Sequence, residues 1–292
     1  MSPDLDRSGR GKLPSPFRLL RLVSLSVFAV FLTLLLSGKL PFGQDPSAHR
    51  VLRVAVASNF YSTAKRLAEH FETKSDFEIV LSPGSTGKHY AQIISGAPFH
   101  LFLAADEARP RQLEGQSFGV PGTRLPYAIG RLVLVSQEPI PTGDPWQQLR
   151  NDEFRHLAIA NPKLAPYGRA AEEVLTHRKM NAIPIDRLVR GENVAQTWHF
   201  LESGHADLAF VALSQVVEEM PDWETNGRTA VVEEDEHAPI LQEMILLKDT
   251  PEGRAFFGFL QSEDARAIIE EAGYRAPLRS SSLGVEPDET RP

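Results

Sequence analysis

FEIVLSPGSTGKHYAQII, residues 77–94, joins an apolar strand pattern (Phe77 to Leu81) to a helical one (Tyr90 to Ile94) through the turn Gly84-Ser85-Thr86-Gly87. A strand running through a short turn into a helix is the repeating unit of an α/β sheet. Glycines and hydroxyl residues at such a turn aim several N–H and O–H donors at one anion. A nucleotide P-loop needs Gly five residues before the Gly-Lys pair and Ser or Thr directly after it. Those places hold Ser82 and His89, so the motif fails at both. Taken alone, the turn has two readings: an oxyanion cradle, or a turn that uses glycine for backbone freedom.

Outward from this unit the alternation continues. Leu52 to Ala57 reads as a first strand, and Tyr61 to Thr73 as an amphipathic helix with Leu67, Ala68 and Phe71 inward. His100 to Ala104 reads as a third strand. A second series holds strands at Arg131 to Val135, His156 to Ala160 and Ala206 to Ala212, with helices at Arg169 to Thr176 and from Glu192-Asn193 to Glu202. Leu241 to Leu247 reads as a late strand, followed by helices at Pro251 to Leu260 and Ser262 to Ala272. Two such series predict two lobes, each an open, mostly parallel sheet flanked by helices, with a ligand held in the crevice between them. Hinges are expected near residues 125–131 and 236–242.

The ends of the chain are different in kind. Arg7, Arg10, Lys12, Arg18 and Arg21 precede an uncharged run from Leu22 to Leu36. A basic segment before about fifteen apolar residues fits a signal peptide better than a spanning helix, which needs about twenty. Residues 1–50 are therefore expected to be a leader, or an N-terminal anchor if uncleaved, plus linker. Lobe 1 is expected at 51–127 and 240–277, lobe 2 at 128–239, and a loose tail at 278–292. There is no Cys, hence no disulfide framework and no lipoprotein attachment residue. The formal net charge of −7 argues against nucleic acid as partner, because that binding depends on Lys and Arg neutralising phosphates. An anion site on such a chain must work through local dipoles and neutral donors.

Four helix starts supply such donors: Ala57-Ser58-Asn59, the opening turn, Pro166-Tyr167-Gly168, and Glu192-Asn193-Val194. Each alone is an ordinary cap or first turn. Catalysis has little support. No Gly-x-Ser-x-Gly elbow or Cys is present, and His199 and His205 lack the spacing of a metal-binding helix.

The segments AVASNF (55–60), GSTGKHYAQIISGAPFHLFLAADE (84–107), RLVLV (131–135), LAIANPKLAPYGRAAEEVL (157–175), GENVAQTWHFLESGHADLAFVALSQV (191–216) and EDEHAPI (234–240) closely resemble the periplasmic molybdate-binding proteins of ABC importers. The likeness covers residues 51 to 275 in order and spacing. It implies a two-lobed periplasmic binding protein of type II that is not an enzyme and has no cofactor. Such a protein works as a monomer, captures molybdate or tungstate in the cleft, and delivers it to a membrane permease with a cytoplasmic ATPase.

By motif, the resemblance assigns the oxyanion to Ser58 and Thr86 through their hydroxyls, and to Tyr167 and Val194 through backbone N–H groups. Ala212 stands where many members carry a Tyr whose hydroxyl touches the anion, so that donor is missing here. Asn59, Ser85, Lys88 and the Tyr167 hydroxyl are further candidate contacts that would compensate. His100 replaces a common Asp and is expected to pack within its strand. The rival readings are a binding protein for sulfate or phosphate on the same fold, and a sensor or scaffold that does not transport.

Overall fold

A computed structural model describes residues 50–141, 143–180 and 182–277. The expected leader, except Arg50, and the tail at 278–292 lie outside the described residues. In chain order the elements begin with β1 (Arg50–Ala57), a 3-10 turn (Ser58–Phe60), α1 (Tyr61–Glu72), β2 (Phe77–Gly84), α2 (Thr86–Ile94), β3 (Leu101–Leu103), α3 (Ala108–Gly115) and β4 (Leu125–Gly130). The chain then forms β5 (Leu132–Ser136), α4 (Pro145–Arg150), β6 (Leu157–Ala160), α5 (Pro166–His177), β7 (Leu188–Gly191), α6 (Val194–Glu202), β8 (Leu208–Ala212), α7 (Leu213–Glu219) and β9 (Thr229–Val231). It ends with β10 (Ile240–Leu246), α8 (Pro251–Phe259) and α9 (Glu263–Glu271).

These strands make two five-stranded sheets, ordered β2-β1-β3-β10-β4 and β7-β6-β8-β5-β9. The sheets share one plan. Three strands run parallel at one side, and a reversed strand, β10 or β5, pairs antiparallel on both flanks. In each case the reversed strand is the first one laid down after the chain crosses from the other sheet. The crossings fall at Arg131 and between β9 and β10. β4 runs on to Gly130, so residues 128–130 still belong to the first sheet, which Arg275 extends by a bridge to Ile129.

The apolar runs follow from sheets covered on both faces. Leu52, Val54 and Val56 of β1, with Leu101 and Leu103 of β3 and Met244 and Leu246 of β10, project into one core together with α1, α8 and α9. Ala55, Phe102 and Ile245 project the other way, onto Ile93 of α2 and Leu113 of α3. In the second sheet every residue of Leu132 to Val135, Leu157 to Ala160 and Leu208 to Ala212 is buried. Each such Leu, Val or Phe contributes about 1.5–3 kcal/mol on burial, and without disulfides this packing holds the fold.

The helices that matter for function start earlier than the pattern suggested. α2 opens at Thr86, not Tyr90, and α5 at Pro166, not Arg169. The turn Gly84-Ser85-Thr86-Gly87 is thus the last residue of β2, an N-cap and the first two residues of a helix. His100 lies just outside β3 and is only partly buried. Its Nδ1 accepts the Arg53 N–H at 3.0 Å, so it ties the strand edge instead of packing within it.

Candidate functional site

Every donor-rich helix start faces one small pocket. It is lined by Ala57, Ser58 and Asn59, by Gly84, Ser85, Thr86 and Ala105, and by Ala165, Pro166, Tyr167, Asn193 and Val194. Its ≈ 190 Å³, open mouth included, is smaller than the ≈ 830 Å³ of the neighbouring pocket that shares Ala105 and Pro166 with it. No lining residue carries a charge.

The backbone makes each start a donor. Ala57 is extended (φ −60°, ψ 135°) and turns the chain into the 3-10 turn that leads to α1. Among the described residues the Ser58 hydroxyl has no hydrogen-bond partner, which leaves it free for the pocket. Ser85 caps α2 by accepting the Lys88 N–H at 3.3 Å, and Thr86 Oγ1 accepts the Ala105 N–H at 3.0 Å. Each oxygen thus accepts one bond, and both hydroxyl protons remain available to donate. At α5, Pro166 fills the first position, where no N–H is needed. Asn193 caps α6 through the Gln196 N–H at 3.0 Å. The Tyr167 and Val194 N–H groups, in the first turns of α5 and α6, have no acceptor among the described residues. Helix dipoles add to the positive potential at these ends.

The two halves touch around the pocket. Gly87 N–H donates across the cleft to Leu164 O at 2.9 Å, and Arg109 Nη2 to Lys163 O at 3.2 Å. Asp106 pairs with Arg109 beside it and with Arg169 opposite at 3.3 Å. Charges thus ring the cleft without entering the pocket.

Several expected contacts fall elsewhere. The Lys88 ammonium does not line the pocket and instead pairs with Glu192 across the cleft. A flexible, half-exposed cation takes the facing carboxylate before it bends back over its own helix. Ala212 is fully buried at the end of β8, away from the lining, with its N–H donating to Gln215 Oε1 at 3.1 Å. Asn59 lines the pocket, but its amide is used up, donating to Gln242 Oε1 at 3.0 Å and to the Tyr274 hydroxyl at 3.1 Å. The Tyr167 hydroxyl accepts from Gln242 Nε2 at 3.3 Å and belongs to the same buried polar cluster. Burial, reinforced by nearby Tyr274, holds the Tyr167 phenol well above its usual range, so it stays neutral. Sequence reasoning missed Gln242 and Tyr274. The visible signal was a Gln-Glu pair inside the apolar run Ile240 to Leu247.

His89 supports the anion turn from below. Its ring lies against Gly84, where a Cβ would stand 2.8 Å from Nε2, and edge-on to Phe99 and Phe102. Nε2 sits 3.2 Å from Val56 O and Nδ1 3.1 Å from Gln92 Oε1. Burial lowers its pKa below the ordinary 6.5, although the bonds to Gln92 and Val56 pull the other way. The folded state thus favours the neutral ring, while the unfolded chain takes up a proton below pH 6.5. Stability from this group is full above that pH and declines as pH falls through the window beneath it, by at most about 1.4 kcal/mol per pH unit. His89→Gln is expected to flatten that slope in denaturant titrations between pH 5 and 7.

Two sheets of matched topology with a neutral, donor-lined pocket between them define a two-lobed solute-binding protein that takes a small anion. Residues 52–275 match the bacterial extracellular solute-binding protein family, and the chain belongs to it. It is 40% identical over 226 residues to the molybdate-binding protein ModA of Azotobacter vinelandii, covering 76% of this chain and 89% of that protein. It is 37% identical over 232 residues to the ModA of Rhodobacter capsulatus, covering 78% and 90%. The solved structure of the Azotobacter vinelandii periplasmic molybdate-binding protein superposes with a TM-score of 0.73 at 37% identity, covering 78% of this chain and all of that one.

Proposed function

We propose that this protein captures molybdate, and tungstate with it, outside the cytoplasm and presents it to the permease of an ABC importer. The observation that carries the reading is the pocket itself. Hydroxyl and N–H donors from four helix starts converge on a space with no charge and no carboxylate. The molybdate-binding relatives, similar over most of the chain, supply the ligand. One lobe captures the anion, and closure buries it against the first-turn N–H groups of the other.

Selectivity follows from the donor set. Molybdate and sulfate are tetrahedral dianions at neutral pH, so a rigid ring of donors separates them by size. Phosphate is partly protonated there, and its O–H finds no acceptor in an all-donor site, leaving a buried polar group unpaired. Thermal unfolding tests this directly. Molybdate and tungstate should raise the midpoint, by an amount that grows with the logarithm of ligand concentration over Kd. A midpoint that ignores both and rises with sulfate would make the protein a carrier for a different oxyanion, and one that responds only to a protein partner would make it a scaffold.

The roles of the two kinds of residue at the cleft separate by mutation. Ser58→Ala removes a donor from the pocket and should weaken molybdate at least about tenfold, the scale of one hydrogen bond to a charged acceptor. Lys88→Ala removes only the exposed pair with Glu192 and should cost less than about threefold, fading further as salt is added. Equal losses in the two variants would return Lys88 to the ligand.

A further inference from the structure

Tyr167 works at both ends. Its backbone N–H lies in the first turn of α5 at the pocket, while its hydroxyl ends against Gly130 and the side-chain amide of Gln242. Gly130 is the last residue of β4, directly before the chain crosses to the second sheet. A Cβ at Gly130 would overlap the Tyr167 hydroxyl oxygen and stand 2.8 Å from Gln242 Nε2 and 2.9 Å from Tyr167 Cζ. Glycine is therefore what makes room for the phenol.

Gln242 is fully buried on β10, where the pairing with β4 shifts register between Gln242 and Glu243. Such an irregularity re-aims a side chain. Here its Oε1 accepts from Asn59 Nδ2 and from the Tyr127 hydroxyl, both at 3.0 Å, and its Nε2 donates to Tyr167 at 3.3 Å. Asn59 is the residue after Ser58. Its carbonyl oxygen is held by the Tyr274 hydroxyl at 2.6 Å and by Ser214 of α7 at 3.0 Å. A continuous buried path thus runs from the donor helix of the second sheet, through Gln242, to the donor turn of the first.

We infer that Tyr167 is a positioning residue of the anion site. Its phenol docks in a socket formed by Gly130 and Gln242, and so fixes where the first-turn N–H of α5 stands relative to the Ser58-Asn59 turn. This accounts for the side chain at a position where the ligand needs only a backbone group. The inference rests on the molybdate-binding reading above. It assigns the hydroxyl to registration of the two lobes and not to the anion.

The test is a double-mutant cycle on the full chain, with molybdate affinity and dissociation rate as readouts and the anion-free unfolding midpoint alongside. Gly130→Ala should weaken binding by roughly tenfold or more, because its methyl expels the phenol. Tyr167→Phe keeps the backbone donor and should weaken binding about three- to tenfold through faster dissociation. The double variant should lose clearly less than the product of the two single losses, since removing the oxygen removes the worst overlap and leaves only the approaches to Gln242 Nε2 and Tyr167 Cζ. Losses that simply multiply would overturn the inference, as would a Tyr167→Phe protein that binds and releases molybdate like wild type with only a lowered midpoint. If Gly130→Ala does not fold, Tyr167→Phe decides by that split. A wild-type protein that ignores molybdate overturns the functional reading and this one together, whereas additive losses on a wild type that binds overturn this one alone.

Discussion

Replacing Thr86 with alanine is expected to weaken molybdate binding by between tenfold and more than a hundredfold while leaving the fold in place. The side chain is almost wholly buried at the first position of α2, with its oxygen accepting the Ala105 N–H at 3.0 Å. That bond takes one of the oxygen's two lone pairs and leaves the hydroxyl proton free to donate. A hydrogen bond to a charged partner is worth about 1.5–3 kcal/mol, and about 1.4 kcal/mol is tenfold in affinity. The variant also leaves the Ala105 N–H without its acceptor, so the loss belongs at the upper end. Thr86→Ser keeps the hydroxyl and drops only the methyl, and should bind within a few-fold of wild type. Calorimetry on both variants checks the pair, and an alanine variant that binds like the serine one would remove Thr86 from the site.

Gly168→Ala is expected to damage stability and binding together. A Cβ at this third position of α5 would overlap the carbonyl oxygen of Ala160 and stand 2.6 Å from its carbon and 3.0 Å from Pro162 N. These are backbone atoms at the end of β6 and in the loop after it, and they cannot rotate aside. Overpacking of this kind costs about 1–3 kcal/mol or more, which in a domain of this size lowers the unfolding midpoint by roughly 2–10 °C. The strain can be relieved only by lifting the start of α5, and the Tyr167 N–H moves with it. Affinity should therefore fall at least about tenfold, unlike in a surface variant of equal stability cost. Scanning calorimetry and titration on one preparation read both quantities, and retention of full affinity would mean that α5 does not supply a donor.

The α/β alternation and the four donor starts were legible because they rest on local chemistry. Apolar runs of four or five residues mark strands covered on both faces, and Ser85 and Asn193 are cap residues that act as caps. Ser58, Thr86, Tyr167 and Val194 line one pocket, and so do Asn59 and Ser85. What was not legible depends on distant partners. Lys88 reads from the sequence only as a further candidate contact, and Glu192 opposite it takes the ammonium. Gly87 reads as part of a turn and Pro166 as preceding a helix that begins at Arg169, yet both sit in first turns. Proline is at home there, and Gly87 sends its N–H across the cleft to Leu164 O. The Tyr167 hydroxyl could not be placed without Gly130 and Gln242, which lie on strands of the other sheet.

Ala212 shows the same limit from the other side. The resemblance puts a missing Tyr hydroxyl there, and the residue sits buried at the head of α7, outside the pocket lining, with its N–H given to Gln215. The pocket is built without it. Ser85 lines the pocket beside Thr86, two adjacent hydroxyls at one helix start.

Neutral donors on two lobes are proposed to select a tetrahedral dianion of molybdate size. Parallel calorimetric titrations of the full chain with molybdate, tungstate, sulfate and phosphate test it most directly. Molybdate and tungstate should bind saturably and one-to-one, sulfate much more weakly, and phosphate should give no heat. Silence with molybdate, or a phosphate isotherm as tight as that of molybdate, would contradict it.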